Sequence, residues 1–167
     1  AQITRSALTG AEVLLRWQHP QRGAVSPAEF IPFAEETGQI QQLNSWLLQE
    51  TCAHLARWRR LGLPQIPLSI NLSRHQLQQR DFISQLHAML VQHQLTPADI
   101  ELELTEQMLS PDIPRLQGVL TQLHQAGSHL TIDDFGTGFS HLNGLRQLPL
   151  RALTIHRSFV HQLGEDQ

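Results

Sequence analysis

Apolar and polar residues alternate along several short stretches of this chain, and between them the apolar period lengthens to that of helices. Ile70 and Leu72 alternate with Asn71 and Ser73 within 67–73, and the same alternation recurs at 100–106, at 130–133 and at 152–156. This is the period of strands with one apolar face. The stretch 11–17, Ala-Glu-Val-Leu-Leu-Arg-Trp, reads as a further strand carrying one acid in an apolar setting, closed by the turn His19-Pro20-Gln21-Arg22-Gly23. Helical spacing predicts a helix over 39–61, where Ile40, Leu43, Leu47, Leu55 and Trp58 share a face, with others over 74–95 and 113–126 and a short one over 140–147. Ser26-Pro27-Ala28-Glu29 begins one more, with Ser at the N-cap, Pro at the first helical position and Glu at the third. Gly38, Gly62 and Gly127 end helices, and Arg57, Arg59 and Arg60 suit the last turns of the second. Strands alternating with helices argue for parallel βαβ units, and no repeat of fixed length supports a solenoid.

Strand parity sorts these residues into two faces. With Ile70 and Leu72, Leu102 and Leu104, Leu130 and Ile132, and Leu153 and Ile155 turned toward covering helices, Asn71, Glu103, Asp133 and Thr154 face the other way, toward the C-terminal ends of their strands. In a (β/α) barrel that is the end at which sites are assembled from several strands. Asp133 and Asp134 stand side by side where the alternation stops and the loop Gly136-Thr137-Gly138 begins. Adjacent carboxylates repel, so such a pair needs a divalent cation or an Arg or Lys partner, or else forms an Asx-type turn with both side chains in water.

Composition narrows the field. At 167 residues, 40% hydrophobic and 16% charged, the chain is long enough for one domain with a real core and too short for two ordinary ones. Twelve Lys and Arg against fifteen Asp and Glu give no general attraction to DNA or to an anionic membrane, so a phosphate-bearing ligand has to be held locally. The one cysteine, Cys52, offers neither a disulfide framework nor a thiolate metal cluster, which fits a reducing, cytoplasmic compartment. No apolar run is long enough to cross a bilayer, and the amino terminus lacks the regions of a signal peptide. The ten histidines form no H-E-x-x-H and no finger spacing.

Glu12, Asn71, Glu103, Asp133 and Asp134 offer oxygen donors only. Mg²⁺ and Mn²⁺ take such ligands, whereas Zn²⁺ usually recruits His or Cys. Neighbouring carboxylates at Asp133 and Asp134 can serve two ions, an arrangement suited to in-line attack at phosphorus, so the ligand expected is a phosphate ester. Asp-Phe-Gly at 134–136 also spells a kinase element, but no Gly-rich nucleotide loop, V-A-I-K lysine or H-R-D loop accompanies it. A domain that only contacts other proteins is the remaining class, and the cost of keeping five oxygen donors together without a ligand counts against it.

Five stretches then become familiar in order: Glu12-Val13-Leu14-Leu15-Arg16-Trp17; Ser26-Pro27-Ala28-Glu29-Phe30-Ile31-Pro32 with Ala34-Glu35-Glu36-Thr37-Gly38; Ile70-Asn71-Leu72-Ser73; Glu103-Leu104-Thr105-Glu106; and Asp133-Asp134-Phe135-Gly136-Thr137-Gly138. Together they resemble the EAL family, bacterial phosphodiesterases that open cyclic di-GMP to linear pGpG. The resemblance implies an α/β fold, an incomplete TIM-like (β/α) barrel of roughly six of eight βα units. It implies a single truncated domain over 1–167 that lacks most of the first strand and the last βα units. It implies metal ligation by Glu12, Asn71, Glu103 and Asp133, with Asp134 at a second Mg²⁺ or Mn²⁺ ion. Leu14 and Arg16 would contact the dinucleotide, and Glu106 would anchor the glycine loop, which in the family helps organise the second metal and the dimer contact. A homodimer, fusion to sensory or GGDEF-type domains and a cytoplasmic location follow from the same resemblance.

The departures carry as much information. The family's E-A-L is here Glu12-Val13-Leu14, which changes only a packing position. Its L-K-I-D-R-S-F-V resembles Leu153-Thr154-Ile155-His156-Arg157-Ser158-Phe159-Val160. A lysine beside the attacking water has thus become Thr154, which carries no charge at any pH, and an aspartate has become His156, which is no anionic ligand although a neutral imidazole can bind metal. The expectation is a cyclic di-GMP-binding sensor or scaffold related to Mg-dependent phosphodiesterases and impaired in catalysis. The alternative is a working phosphodiesterase, and the two part at Thr154.

Overall fold

The stretch expected as one strand over 11–17 divides in the computed structural model, which describes residues 8–109, 113–136, 145 and 148–156. β1 (Ala11–Val13) stops short, and Trp17 opens β2 (Trp17–His19), which returns as β3 (Gly23–Val25) in an antiparallel pair. The cause is local. His19 accepts through Nδ1 from the backbone N–H groups of Gln21 and Arg22 (3.1 and 3.2 Å), and Gly23 takes a φ of +73° that closes the turn. Trp17 then meets Phe30 edge to face, with ring centroids 5.7 Å apart, which seats the hairpin on the first helix.

That helix, α1 (Pro27–Glu36), begins where the Ser26 hydroxyl accepts from the Ala28 N–H at 3.3 Å, while Glu29 turns away to pair with Arg22 at 2.5 Å. α2 (Ile40–Arg60) follows, and Arg59 in its last turn donates to the Gln94 carbonyl (2.6 Å) and the Asp99 carboxylate (3.0 Å). β4 (Leu68–Asn71) leads into a region where the single helix expected over 74–95 is two: α3 (Arg74–Gln78) and α4 (Phe82–Gln92). A capping box between Ser73 and Gln76 fixes the start of α3, extended backbone at Gln79 ends it, and Phe82, Leu86 and Leu90 bury α4 on its own account. One 3₁₀ turn then opens β5 (Ile100–Thr105), followed by α5 (Glu106–Leu109), α6 (Ile113–Gln125), β6 (His129–Phe135) and β7 (Ala152–Ile155).

β1, β4, β5, β6 and β7 form one parallel sheet in that order. Ile70, Leu102, Leu104, Leu130 and Ile132 are at most 1% exposed and join Leu48, Cys52 and Leu55 of α2, Phe82 of α4 and Leu120 and Leu123 of α6 in one core. Helices on one face and polar residues on the other make the sheet part of a (β/α) barrel wall. The parity expectation fails at β7, where Leu153 (39%) and Ile155 (56%) are exposed. β7 is the outermost strand of the described sheet, with a neighbour on one side only. Thr137, Gly138, most of the short helix expected over 140–147 and the segment 157–160 lie outside the described residues.

Burial, and next to it the Asp99 carboxylate, pushes the Cys52 thiol up to about 11, so it stays protonated and packs as an apolar group. Among the described residues no helix is long and apolar enough to cross a membrane.

Candidate functional site

Register decides which polar residues meet. Glu12 lies beside Ser69, Asn71 beside Glu103, Glu103 beside Thr131, and Thr105 beside Asp133. Since neighbouring strands sit about 4.8 Å apart, this lines Glu12, Ser69, Asn71, Glu103 and Asp133 along one face near the C-terminal ends of four strands. The face is already knitted. The Asn71 side-chain amide donates to Glu12 Oε1 at 2.8 Å, the Ser69 hydroxyl donates to the Glu103 carboxylate, and Thr131 donates to Glu101 two positions below.

Glu103 sits at the electrostatic centre. Burial first, and then the carboxylates of Glu12, Asp133 and Glu101, hold its pKa above the ordinary range, opposed by the Ser69 hydrogen bond. Its Oε2 is buried with no hydrogen-bond partner. An orphaned carboxylate oxygen among three further carboxylates, on a face of oxygen donors, fits a hard divalent cation. Among the described residues no three His, Cys, Asp or Glu side chains are grouped closely enough, as they stand, to hold an ion.

The acidic pair has its own backbone. Asp134 takes a φ of +53° and Gly136 one of +100°, so the alternation of β6 breaks between two adjacent carboxylates. A left-handed non-glycine residue costs on the order of 1 kcal/mol and concentrates at sites where the surrounding structure holds it. Two residues on from Asp134, the Gly136 N–H donates to Oε2 of Glu106, 4% exposed, at 2.8 Å. β7 meets the irregularity directly: Leu153 lies beside Ile132 and Ile155 beside Phe135, leaving Thr154 alone opposite Asp133 and Asp134. Two residues facing one is the count of a β-bulge.

Beyond the strand ends lies a cleft of about 430 Å³, lined among others by Leu14, Arg16, Asn71, Arg74 and Thr105. Leu14 is 53% exposed at its edge. Arg16 donates to the adjacent Leu15 carbonyl at 2.7 Å, and the acid that could have claimed it, Glu29, is taken by Arg22. Sequence reasoning passed over Ser69, Asn44 and Arg74. Parity two positions before Asn71 marks Ser69, and a polar residue four positions after Ile40 on an apolar helical face marks Asn44, which is 6% exposed and donates to the Ser73 hydroxyl at 2.8 Å.

A family model described as "EAL domain" matches residues 1–167. The chain is 38% identical over 159 residues to the bifunctional diguanylate cyclase/cyclic di-GMP phosphodiesterase MucR of Pseudomonas aeruginosa, covering 95% of this chain and 23% of the relative. It is 38% identical over 156 residues to another cyclic di-GMP phosphodiesterase of that organism, covering 93% and 26%. It thus spans about a quarter of the length of these curated relatives. Among solved structures it is similar to the MucR phosphodiesterase in complex with cyclic di-GMP, with a TM-score of 0.85 and 38% identity over 93% of this chain and 63% of that one. The Pseudomonas aeruginosa FimX EAL domain bound to cyclic di-GMP gives a TM-score of 0.81 and 27% identity, over 92% and 61%.

Proposed function

Because the chain belongs to the EAL-domain family, we propose that it binds cyclic di-GMP together with Mg²⁺ or Mn²⁺ and hydrolyses it weakly or not at all, serving as a sensor or scaffold in a larger cytoplasmic signalling protein. The observation that carries the reading is the buried, unpartnered Oε2 of Glu103 in the middle of an oxygen-only face. Glu12, Asn71, Glu103 and Asp133 would hold one ion and Asp134 would serve a second. Such ions, when bound, supply Lewis acidity at phosphorus and an activated water. The chain's own residues do the rest: Arg16 takes a phosphate, Leu14 offers apolar surface to a base, and Glu106 holds the Gly136 N–H and so the turn that carries Asp134. Thr154, opposite the acidic pair, brings no charge to that chemistry. A homodimer and fusion to sensory or GGDEF-type domains complete the proposal. The phosphodiesterase names of the two curated relatives favour full turnover as the second reading.

Mn²⁺ titration, followed by paramagnetic broadening or calorimetry, tests the metal assignment. Asp133→Asn should weaken binding by at least the roughly tenfold cost of losing an outer-shell partner. Metal should also raise the melting temperature of the unmodified chain, since it binds only the assembled face. Equal behaviour of the two proteins would sink the assignment.

Arg16→Ala should weaken cyclic di-GMP binding by about tenfold, or 1.4 kcal/mol, the scale of one charge-assisted hydrogen bond. Its melting temperature should stay nearly unchanged, because the hydrogen bond lost reaches only the neighbouring Leu15 carbonyl. A large loss of stability with intact binding would make Arg16 a structural residue instead.

A further inference from the structure

Arg16 is not the cleft's only cation. We propose that Arg74 is a second phosphate-holding residue, so that the two guanidinium groups take the two phosphates of one cyclic dinucleotide; this rests on the reading of the site given above. Arg16 follows β1 and Arg74 follows β4, adjacent parallel strands whose C-terminal ends open on the same cleft. Among the described residues lining it, only Glu35 carries a negative charge against these two positive ones, although the chain as a whole is at −3. The local balance thus runs against the global one. A cyclic dinucleotide presents two phosphodiesters on one ring, and a site selective for it over a cyclic mononucleotide gains most from a cation for each, arginine being suited to the task by its planar fork of donors.

The placement of Arg74 is prepared by a buried polar network. Ser73, immediately before it, accepts at its hydroxyl from the Asn44 amide of α2 (2.8 Å), and its backbone N–H donates to Gln76 Oε1 (2.8 Å). Asn44 and Gln76 are 6% and 3% exposed. Buried polar groups tied in this way fix their neighbours closely, so the backbone of Arg74 is held against both α2 and the Asn71 strand end. Arg74 is itself half-buried and engaged within the chain. Its five N–H donors allow it to keep such a contact and still meet a phosphate.

Calorimetry with cyclic di-GMP and with cyclic GMP, on the unmodified chain, Arg16→Ala, Arg74→Ala and Arg74→Lys, tests this. Arg74→Ala should weaken cyclic di-GMP binding about tenfold or more and erase most of the preference over cyclic GMP, with Arg74→Lys recovering part of it. A residue that only braced the fold would lower the melting temperature and leave the preference between the two nucleotides intact, and that result overturns the proposal. If Arg74→Ala does not fold, Arg74→Gln keeps the length without the charge, and unaltered affinity in that variant overturns it equally. Weakened binding in Arg16→Ala alone overturns the role of Arg74 while leaving the function standing. No binding by the unmodified chain overturns both.

Discussion

Incubated with Mg²⁺ or Mn²⁺, the chain should convert little or no cyclic di-GMP to pGpG, and in the full-length protein Thr154→Lys combined with His156→Asp should raise the rate by a hundredfold or more. Thr154 lies alone across from Asp133 and Asp134, where the strand register shifts. A lysine there would keep its proton, because two carboxylates beside an ammonium favour the charged form. Loss of a positioned charge at a reacting phosphate typically costs on the order of a hundredfold in rate, about 3 kcal/mol. Chromatographic separation of the nucleotides checks each protein. Turnover by the unmodified full-length protein at about 1 s⁻¹ or faster, an ordinary enzymatic rate, would mean that the impaired reading is wrong. Activity only in the double variant would make the domain a receptor descended from an enzyme. If both are silent yet still bind the dinucleotide, the defect lies elsewhere and Thr154 is the wrong residue to blame.

Glu103→Gln should stabilise the metal-free protein and at the same time abolish its stabilisation by metal. Burial and three neighbouring carboxylates raise the pKa of Glu103 in the fold, so ionisation there works against folding. The sign follows from linkage. With the folded pKa above the unfolded one, stability is lost as pH rises through the ordinary glutamate range toward the raised value, and the penalty stays in place above it. Glutamine removes that penalty, so the variant's advantage should be present at neutral pH and vanish in acid, where the wild-type carboxyl is protonated in both states. Removing one like charge from beside three carboxylates is worth about 1 kcal/mol, or roughly 3 °C in a domain of this size. Thermal melts across pH, with and without Mg²⁺, measure both halves. A variant less stable than wild type without metal, or still stabilised by it, would contradict the placement of Glu103 at a cation site.

Much of the barrel wall is legible in the chain because β4, β5 and β6 are half-buried strands, and a period of two states which face is buried. Ile70, Leu102, Leu104, Leu130 and Ile132 obey it. The alternation at β7 looks the same in sequence, yet an outer strand buries neither Leu153 nor Ile155, since cover depends on neighbours and not on pattern. The run from Val13 to Trp17 carries no alternation to mark its break, and the division of 74–95 comes from caps at Ser73 and Gln79 that an apolar period conceals. Strand parity places Asn71, Glu103 and Asp133 on one face, but the hydrogen bonds that knit that face are not written in it. Asn71 reaches Glu12 across 59 positions, and Asn44 reaches Ser73 across 29. Such pairs are fixed by strand register and helix placement, which only the folded chain supplies.

The hairpin of β2 and β3 changes what can vary independently in this domain. Arg16 stands between β1 and that hairpin, whose seat is set by Trp17 against Phe30 and by the His19 ring over the turn. The carboxylates of Glu12, Glu103 and Asp133 stand on the parallel sheet, to which the hairpin contributes no strand. Substitutions at Trp17, His19 or Phe30 can therefore shift the arginine while the carboxylate ladder keeps its spacing. If the chain binds nucleotide and metal as proposed, the two affinities can drift apart over generations, one adjusted by an external jaw and the other inherited with the wall.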